Sequence, residues 1–211
     1  ESLSLYMFQK PKSAKKLFFD VIPKTIDEYI AHYNSFEKLD ESKKFDSPIW
    51  HIHEGKPKEF KTEINFNSLI NLVSICNSSD KVVIWGFINK YDPSISAKNN
   101  PEFDKLIDYA LNYYHDFVLP HKEYLPINKK NKIIFEDIIK LLKNDVSSES
   151  TAEEIQTLLY EIGKKHQFVN LKDFFKLIYQ VLLGQEQGPR LGSFIKLYGI
   201  NETIKSINEK L

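Results

Sequence analysis

The sequence predicts an all-α fold: a helical bundle with a smaller helical portion at its N-terminal end. Three observations carry that expectation. Apolar residues recur at intervals of three and four along most of the 211 residues, which is the period of an amphipathic helix. Prolines and capping residues stand just ahead of those stretches, where helices start. The one β-branched run, residues 82–88 (VVIWGFI), favours a strand on propensity but has no second strand to pair with, so it is read as a short buried helix.

Taken in order, residues 2–10 bring Leu3, Leu5, Tyr6 and Phe8 ahead of Pro11. The basic run Lys10, Lys12, Lys15 and Lys16 then precedes the apolar cluster Leu17, Phe18 and Phe19. That run is either a phosphate contact or a solvated face whose stems cover apolar surface. Pro23 stands near the start of a helix with Ile26, Tyr29, Ile30 and Tyr33 on one side. Residues 48–57 (PIWHIHEGKP), punctuated by proline and glycine, are expected to connect two parts. His51 and His53 alternate there, but with no third ligand nearby they are read as surface or interface histidines.

Beyond the connector, Ile64, Phe66, Leu69, Ile70, Leu72, Val73 and Cys76 repeat at helical spacing as far as Asn77, and Ser79-Asp80 offers a cap to the next element. Trp85 and Phe87 are expected in the core and Tyr91, beside Asp92-Pro93, at the surface. Pro101 opens a helix bearing Phe103, Leu106, Ile107, Ala110, Tyr113, Tyr114 and Phe117, which stops at Pro120. Residues 128–143 form another, with Ile133, Ile134, Ile138, Leu141 and Leu142 inward. Thr151-Ala-Glu-Glu154 has the spacing of a capping box and launches Ile155, Leu158, Leu159 and Ile162.

Composition narrows function mainly by exclusion. Hydrophobic residues make up 42% of the chain, ample for a packed core. Lys plus Arg and Asp plus Glu each number 29, so any nucleic acid must be met by local patches and by shape, not by a global field. A single cysteine, Cys76, makes neither an internal disulfide nor a structural zinc site, and suits the cytosol. No apolar run approaches the ~20 residues a bilayer needs. The chain opens on Glu1 without a basic-then-apolar leader and reads as a fragment or a processed chain. It carries no glycine-rich phosphate loop, metal-ligand quartet or Cys-His nucleophile pair, so no catalytic and no metal-binding residue is assigned.

The most unusual stretch is residues 177–200, LIYQVLLGQEQGPRLGSFIKLYGI. It holds four of the seven glycines (Gly184, Gly188, Gly192 and Gly199) and the chain's one arginine, Arg190. Lysine supplies every other side-chain cation, so this position needs a planar, permanently charged fork. The apolar stripe Leu171, Phe174, Phe175, Ile178, Val181 and Leu182 ends at Gly184, the usual place for a left-handed cap. Gly188-Pro189 then reads as N-cap and first helical residue, which sets Arg190 in the first turn of a helix with core face Leu191, Phe194, Ile195 and Tyr198. Gly192 inside that helix costs about 1 kcal/mol against alanine, and so signals a close approach by another backbone or a ligand. Gly199 closes the helix, and Asn201 is expected to cap the last one.

This stretch resembles the C-terminal end of the class I lysyl-tRNA synthetases. Similar strings lie in residues 6–29, 68–91, 113–120 and 151–163, so the resemblance covers nearly all of the chain. It implies an all-helical cage of the anticodon-binding type at about residues 63–211, preceded by a stem-contact-like region at 1–62. It also implies a separate Rossmann-type domain, absent here, that activates lysine with ATP; this chain alone is predicted inactive and without a cofactor of its own. The implied partners are tRNA(Lys) and that catalytic domain, in the cytoplasm and away from membranes. A cage of this kind unstacks a loop, sandwiches bases on flat side chains and bonds their edges. The candidates for base contact are Arg190, Gln185, Glu186, Gln187 and Tyr91; those for the RNA backbone are Lys196, Lys12, Lys15 and Lys16. For Arg190 a second reading stands beside RNA contact, a structural pair with Glu186 or a buried carboxylate. A non-catalytic helical module that binds a protein groove is the alternative for the whole chain.

Overall fold

Amphipathic periodicity becomes helix after helix in the computed structural model, which describes all residues except Lys10, Lys16, Glu59 and Lys61. Among the described residues there is no strand. The chain forms two compact units: residues 1–69 with 97–110, and residues 70–96 with 111–211.

The first unit holds α1 (Ser2–Phe8), α2 (Val21–Phe36), the short α3 (Glu41–Lys44), α4 (Pro48–Ile52), the start of α5 (Phe66–Cys76) and most of α7 (Pro101–Tyr113). α1, α2 and α4 pack on one another through Leu5, Ile30, Tyr33, Phe36 and Ile49, all nearly inaccessible. The expected connector therefore contains a helix. Ser47 starts α4 by accepting from the Ile49 N–H at 3.3 Å, and Pro48 supplies the preset first turn. His53, just past α4, bonds the Tyr29 hydroxyl at 2.8 Å and meets the edge of the Tyr33 ring. The start of α5 is capped from outside its own sequence neighbourhood: Asp27 on α2 accepts from the Phe66 N–H and the Asn67 amide, each at 2.5 Å.

The second unit holds α6 (Lys81–Tyr91), α8 (Lys129–Asn144), α9 (Ala152–Lys165), α10 (Leu171–Leu182), α11 (Leu191–Tyr198) and α12 (Ile200–Asn208). Residues 82–88 are helical, as expected. Burial is confined to the Ile84, Trp85 and Ile88 face, and Val82 is 75% exposed. On α8 the inward face is Ile134, Phe135, Ile138, Ile139, Leu141 and Leu142; Ile133 points out at 57% exposure, a correction that follows from the 3.6-residue period. After α7 the chain widens into a π-helical turn at Tyr114–Val118 and then tightens into a 3₁₀-turn at Leu119–His121. The Thr151 and Glu154 capping box is fully formed on α9. No helix among the described residues is long and apolar enough to cross a membrane, and no cluster of three or more His, Cys, Asp or Glu gathers there.

Candidate nucleic-acid interface

The crossing of α9 and α11 organises the glycine-rich stretch. A Cβ built on Gly192 would lie 2.1 Å from the Ala152 carbonyl oxygen and 2.9 Å from the Gln156 nitrogen. The backbones of the two helices touch there, and the buried Gln156 side chain accepts from the Gly192 N–H at 2.9 Å. The close approach announced by a glycine inside a helix is thus made by the protein itself. With α11 seated on α9, the preceding connection is drawn over the end of α10.

That connection is held at three points. Gly184 takes φ +67, the left-handed turn that ends α10, and its carbonyl accepts from the Glu123 N–H at 2.9 Å. Gln185 turns inward, and its amide donates to the Ser74 hydroxyl at 3.0 Å. At the far end the Tyr179 hydroxyl donates to the Pro189 carbonyl, and burial pushes its pKa up to about 12. Lys122 secures the base: its ammonium donates to the Ser74 carbonyl at 2.6 Å and to the Tyr114 hydroxyl at 3.3 Å. Burial, with Lys210 adding to it, pulls the Lys122 pKa down to about 8.

Between these anchors, Glu186, Gln187 and Arg190 are exposed and line one cleft of about 580 Å³ with Tyr160, Phe175 and Lys176. The Tyr160 and Phe175 rings meet edge to face at 5.2 Å. Arg190 is the N-cap of α11 rather than a first-turn residue, because the helix starts where Leu191 turns into the core. Its ion partner is Glu153 in the first turn of α9, at 2.5 Å, and not Glu186, which pairs with Lys176 at 2.7 Å. The Arg190 and Glu153 side chains are 55% and 66% exposed. Similarly, α12 starts at Ile200 on Gly199, so Asn201 lies inside its first turn and does not cap it.

The other candidates fall elsewhere. Tyr91 and Lys196 line a second cleft in the same unit, of about 630 Å³, and Lys196 donates to the Ser150 carbonyl at 2.8 Å. In the first unit Lys12 is exposed, whereas Lys15 lies over the Tyr6 ring at 4.3 Å and donates to the Tyr6 and Gln9 carbonyls. Lys16 lies outside the described residues. So the structure brings Arg190, Glu186 and Gln187 together and Tyr91 with Lys196, and holds Gln185 apart from both groups. Sequence reasoning missed Tyr160 and Lys176, whose only signal was their position on the outer faces of α9 and α10.

Comparison with known proteins bears on this arrangement. Residues 1–56 match the family described as tRNA synthetases class I (K). Over its whole length the chain is 49% identical to the lysine–tRNA ligase of Rickettsia bellii (strain OSU 85-389) and covers 41% of it. It is 48% identical to that of Rickettsia felis (strain ATCC VR-1525 / URRWXCal2), covering 40%. Against the enzyme of Rickettsia rickettsii (strain Sheila Smith) the identity is 46% and the coverage 41%. The chain therefore spans about two fifths of the length of these relatives. Its resemblance to the class I lysyl-tRNA synthetases extends along every part of it, residues 177–200 included.

Proposed function

We propose that this chain is the tRNA-binding region of a class I lysine–tRNA ligase. In that reading the remainder of the polypeptide activates lysine with ATP and esterifies the tRNA in the cytoplasm, and this region recognises the lysine anticodon. The observation that carries it is the near-half identity with lysine–tRNA ligases across all of the chain. Residues 1 to about 62 take the stem-contact role and about 63–211 the anticodon role. The family match over residues 1–56 supports treating that first part separately.

The chemistry of the Arg190 cleft suits base reading. Tyr160 and Phe175 offer flat apolar surface for an unstacked base. Glu186 and Gln187 accept and donate along a base edge, and Arg190 supplies a planar fork. An exposed ion pair is worth about 0–1 kcal/mol, so Arg190 exchanges Glu153 for an RNA partner at little cost. Lys12 and Lys15 are the backbone contacts proposed for the first part, Lys15 after release from the end of α1. Gln185, bonded to Ser74, sets the height of the connection from behind.

The test is binding of the chain to lysine tRNA and to the same tRNA with one anticodon uridine changed, beside an Arg190→Lys variant. Preference for the native anticodon, lost in the variant at unchanged melting temperature, supports base reading by Arg190. A folded chain that binds neither RNA in a salt-dependent way refutes the proposal in favour of a protein-binding module, since only phosphate contacts release condensed counterions.

A further inference from the structure

The cations of the two clefts are in different states. In the Arg190 cleft, two of three are already neutralised: Arg190 by Glu153 and Lys176 by Glu186. The second cleft is lined by Lys90 from α6, Lys143 from the end of α8 and Lys196 from α11. Among the described residues none of the three has a carboxylate within ion-pair distance. Lys90 lies over the Phe87 ring at 5.5 Å, and Lys196 donates to the neutral Ser150 carbonyl, with the Glu154 carboxylate near enough to act on it electrostatically. Against these three ammonium groups the lining offers a single carboxylate, Glu202. In a chain of zero formal net charge this is a local excess of positive charge, only partly offset by Glu202 and Glu154 and brought together by three separate helices.

We infer that this second cleft is where the protein grips the sugar-phosphate backbone of single-stranded RNA, with a nucleoside ring laid on Tyr91. The inference rests on the tRNA-binding reading above and divides its labour, with base edges at Arg190 and phosphates here. Two features favour RNA over an acidic peptide. Tyr91 is 37% exposed at the cleft, and an aromatic face beside cations suits a base flanked by phosphates. Ser147 places a hydroxyl on the wall that accepts from the Glu149 N–H and keeps its own proton to donate to phosphate or to a 2′-hydroxyl. The cleft, at about 630 Å³, falls within the size range of ligand sites, with room for a ring and its phosphate together.

The experiment measures binding of a lysine tRNA transcript to this chain as a function of salt, for wild type, the Lys90→Ala/Lys143→Ala double variant, Lys196→Ala, Tyr91→Phe and Tyr91→Ala. Lys90 and Lys143 are exposed, so the double variant folds even if Lys196→Ala loosens residue 150. The double variant is expected to flatten the slope of log K against log salt by about 1.4, roughly 0.7 for each single-strand phosphate lost, while keeping the preference for the native anticodon. Tyr91→Phe keeps the affinity and Tyr91→Ala lowers it about tenfold, as loss of one stacked base does. An unchanged slope in the folded double variant overturns the inference and leaves the tRNA reading standing. Poly-glutamate that displaces the tRNA as well as competing RNA of equal charge overturns it in favour of an acidic protein segment. A wild-type chain that binds no RNA overturns both.

Discussion

Replacing Gly192 by alanine tests the logic of the α9 and α11 crossing. By helix propensity alone the change stabilises, by about 1 kcal/mol. The new Cβ, however, would sit 2.1 Å from the Ala152 oxygen, more than 1 Å inside ordinary contact, and both nearest obstacles are backbone atoms that cannot rotate away. The helices must separate. Overpacking of this kind costs about 1–3 kcal/mol, and breaking the bond from the Gly192 N–H to buried Gln156 adds roughly 1–3 kcal/mol if the donor is left unpaired. The net expectation is a loss of about 3 kcal/mol, or a fall in Tm of roughly 6–12 °C at this chain length. Gly86→Ala is the matched control: it lies in helix α6 with no atom within 4 Å of the added Cβ, and is expected to gain about 1 kcal/mol. Thermal unfolding by circular dichroism of both variants decides. A Gly192→Ala protein as stable as wild type would refute the close-approach argument.

Three further outcomes are expected. Asp27→Ala, which uncaps α5, lowers stability in urea by about 1–2 kcal/mol, and Asp27→Asn by less, because it still accepts from Phe66. Burial raises the Asp27 pKa; its carboxylate is disfavoured in the folded state, and wild type gains on Asp27→Asn as pH falls from the raised value toward that of the unfolded chain. Asp137, hydrogen-bonded by Lys165 at 2.8 Å and His166 at 3.0 Å, has its pKa lowered chiefly by Lys165. Asp137→Asn is expected to cost roughly 1 kcal/mol at pH 7, with the gap closing as pH falls through that depressed value. Lys122 titrates near 8 in the folded chain against 10.5 ordinarily, so the unfolded state binds more protons between those values and stability rises with pH there. Urea unfolding between pH 7.5 and 9.5 should show wild type gaining on a Lys122→Met variant, and a flat difference would contradict the burial of that amine.

Local chemistry made much of this structure readable in advance. The capping box at Thr151, the end of α10 at Gly184 and the approach at Gly192 each follow from residues within four positions of one another. What escaped were partnerships across the chain. Arg190 meets Glu153, 37 positions away, and Gln185 meets Ser74, 111 positions away; neither separation carries a periodic signal. Gln185 and Glu186 are equally polar neighbours in sequence, yet the turn at Gly184 sends one inward and leaves the other on the surface. Residues 48–57 read from their prolines as a connector, but Ser47-Pro48 is equally a good helix start, and the structure forms the short α4 there with Ile49 buried. On α8 apolarity alone points Ile133 inward, whereas its phase on the helix places it outside.

Helix α11 joins the two clefts end to end: Arg190 opens it at one cleft and Lys196 reaches the other. Six residues at about 1.5 Å each set them roughly 9 Å apart along the axis, and the seat on α9 leaves that distance no play. The helix thus works as a fixed gauge. On the proposed reading, a single nucleotide would fill one cleft or the other, and only a strand long enough to bridge the gauge would gain from both. Affinity should therefore climb abruptly with oligonucleotide length and then level off, and the length at which it climbs reports the spacing built into this one short helix.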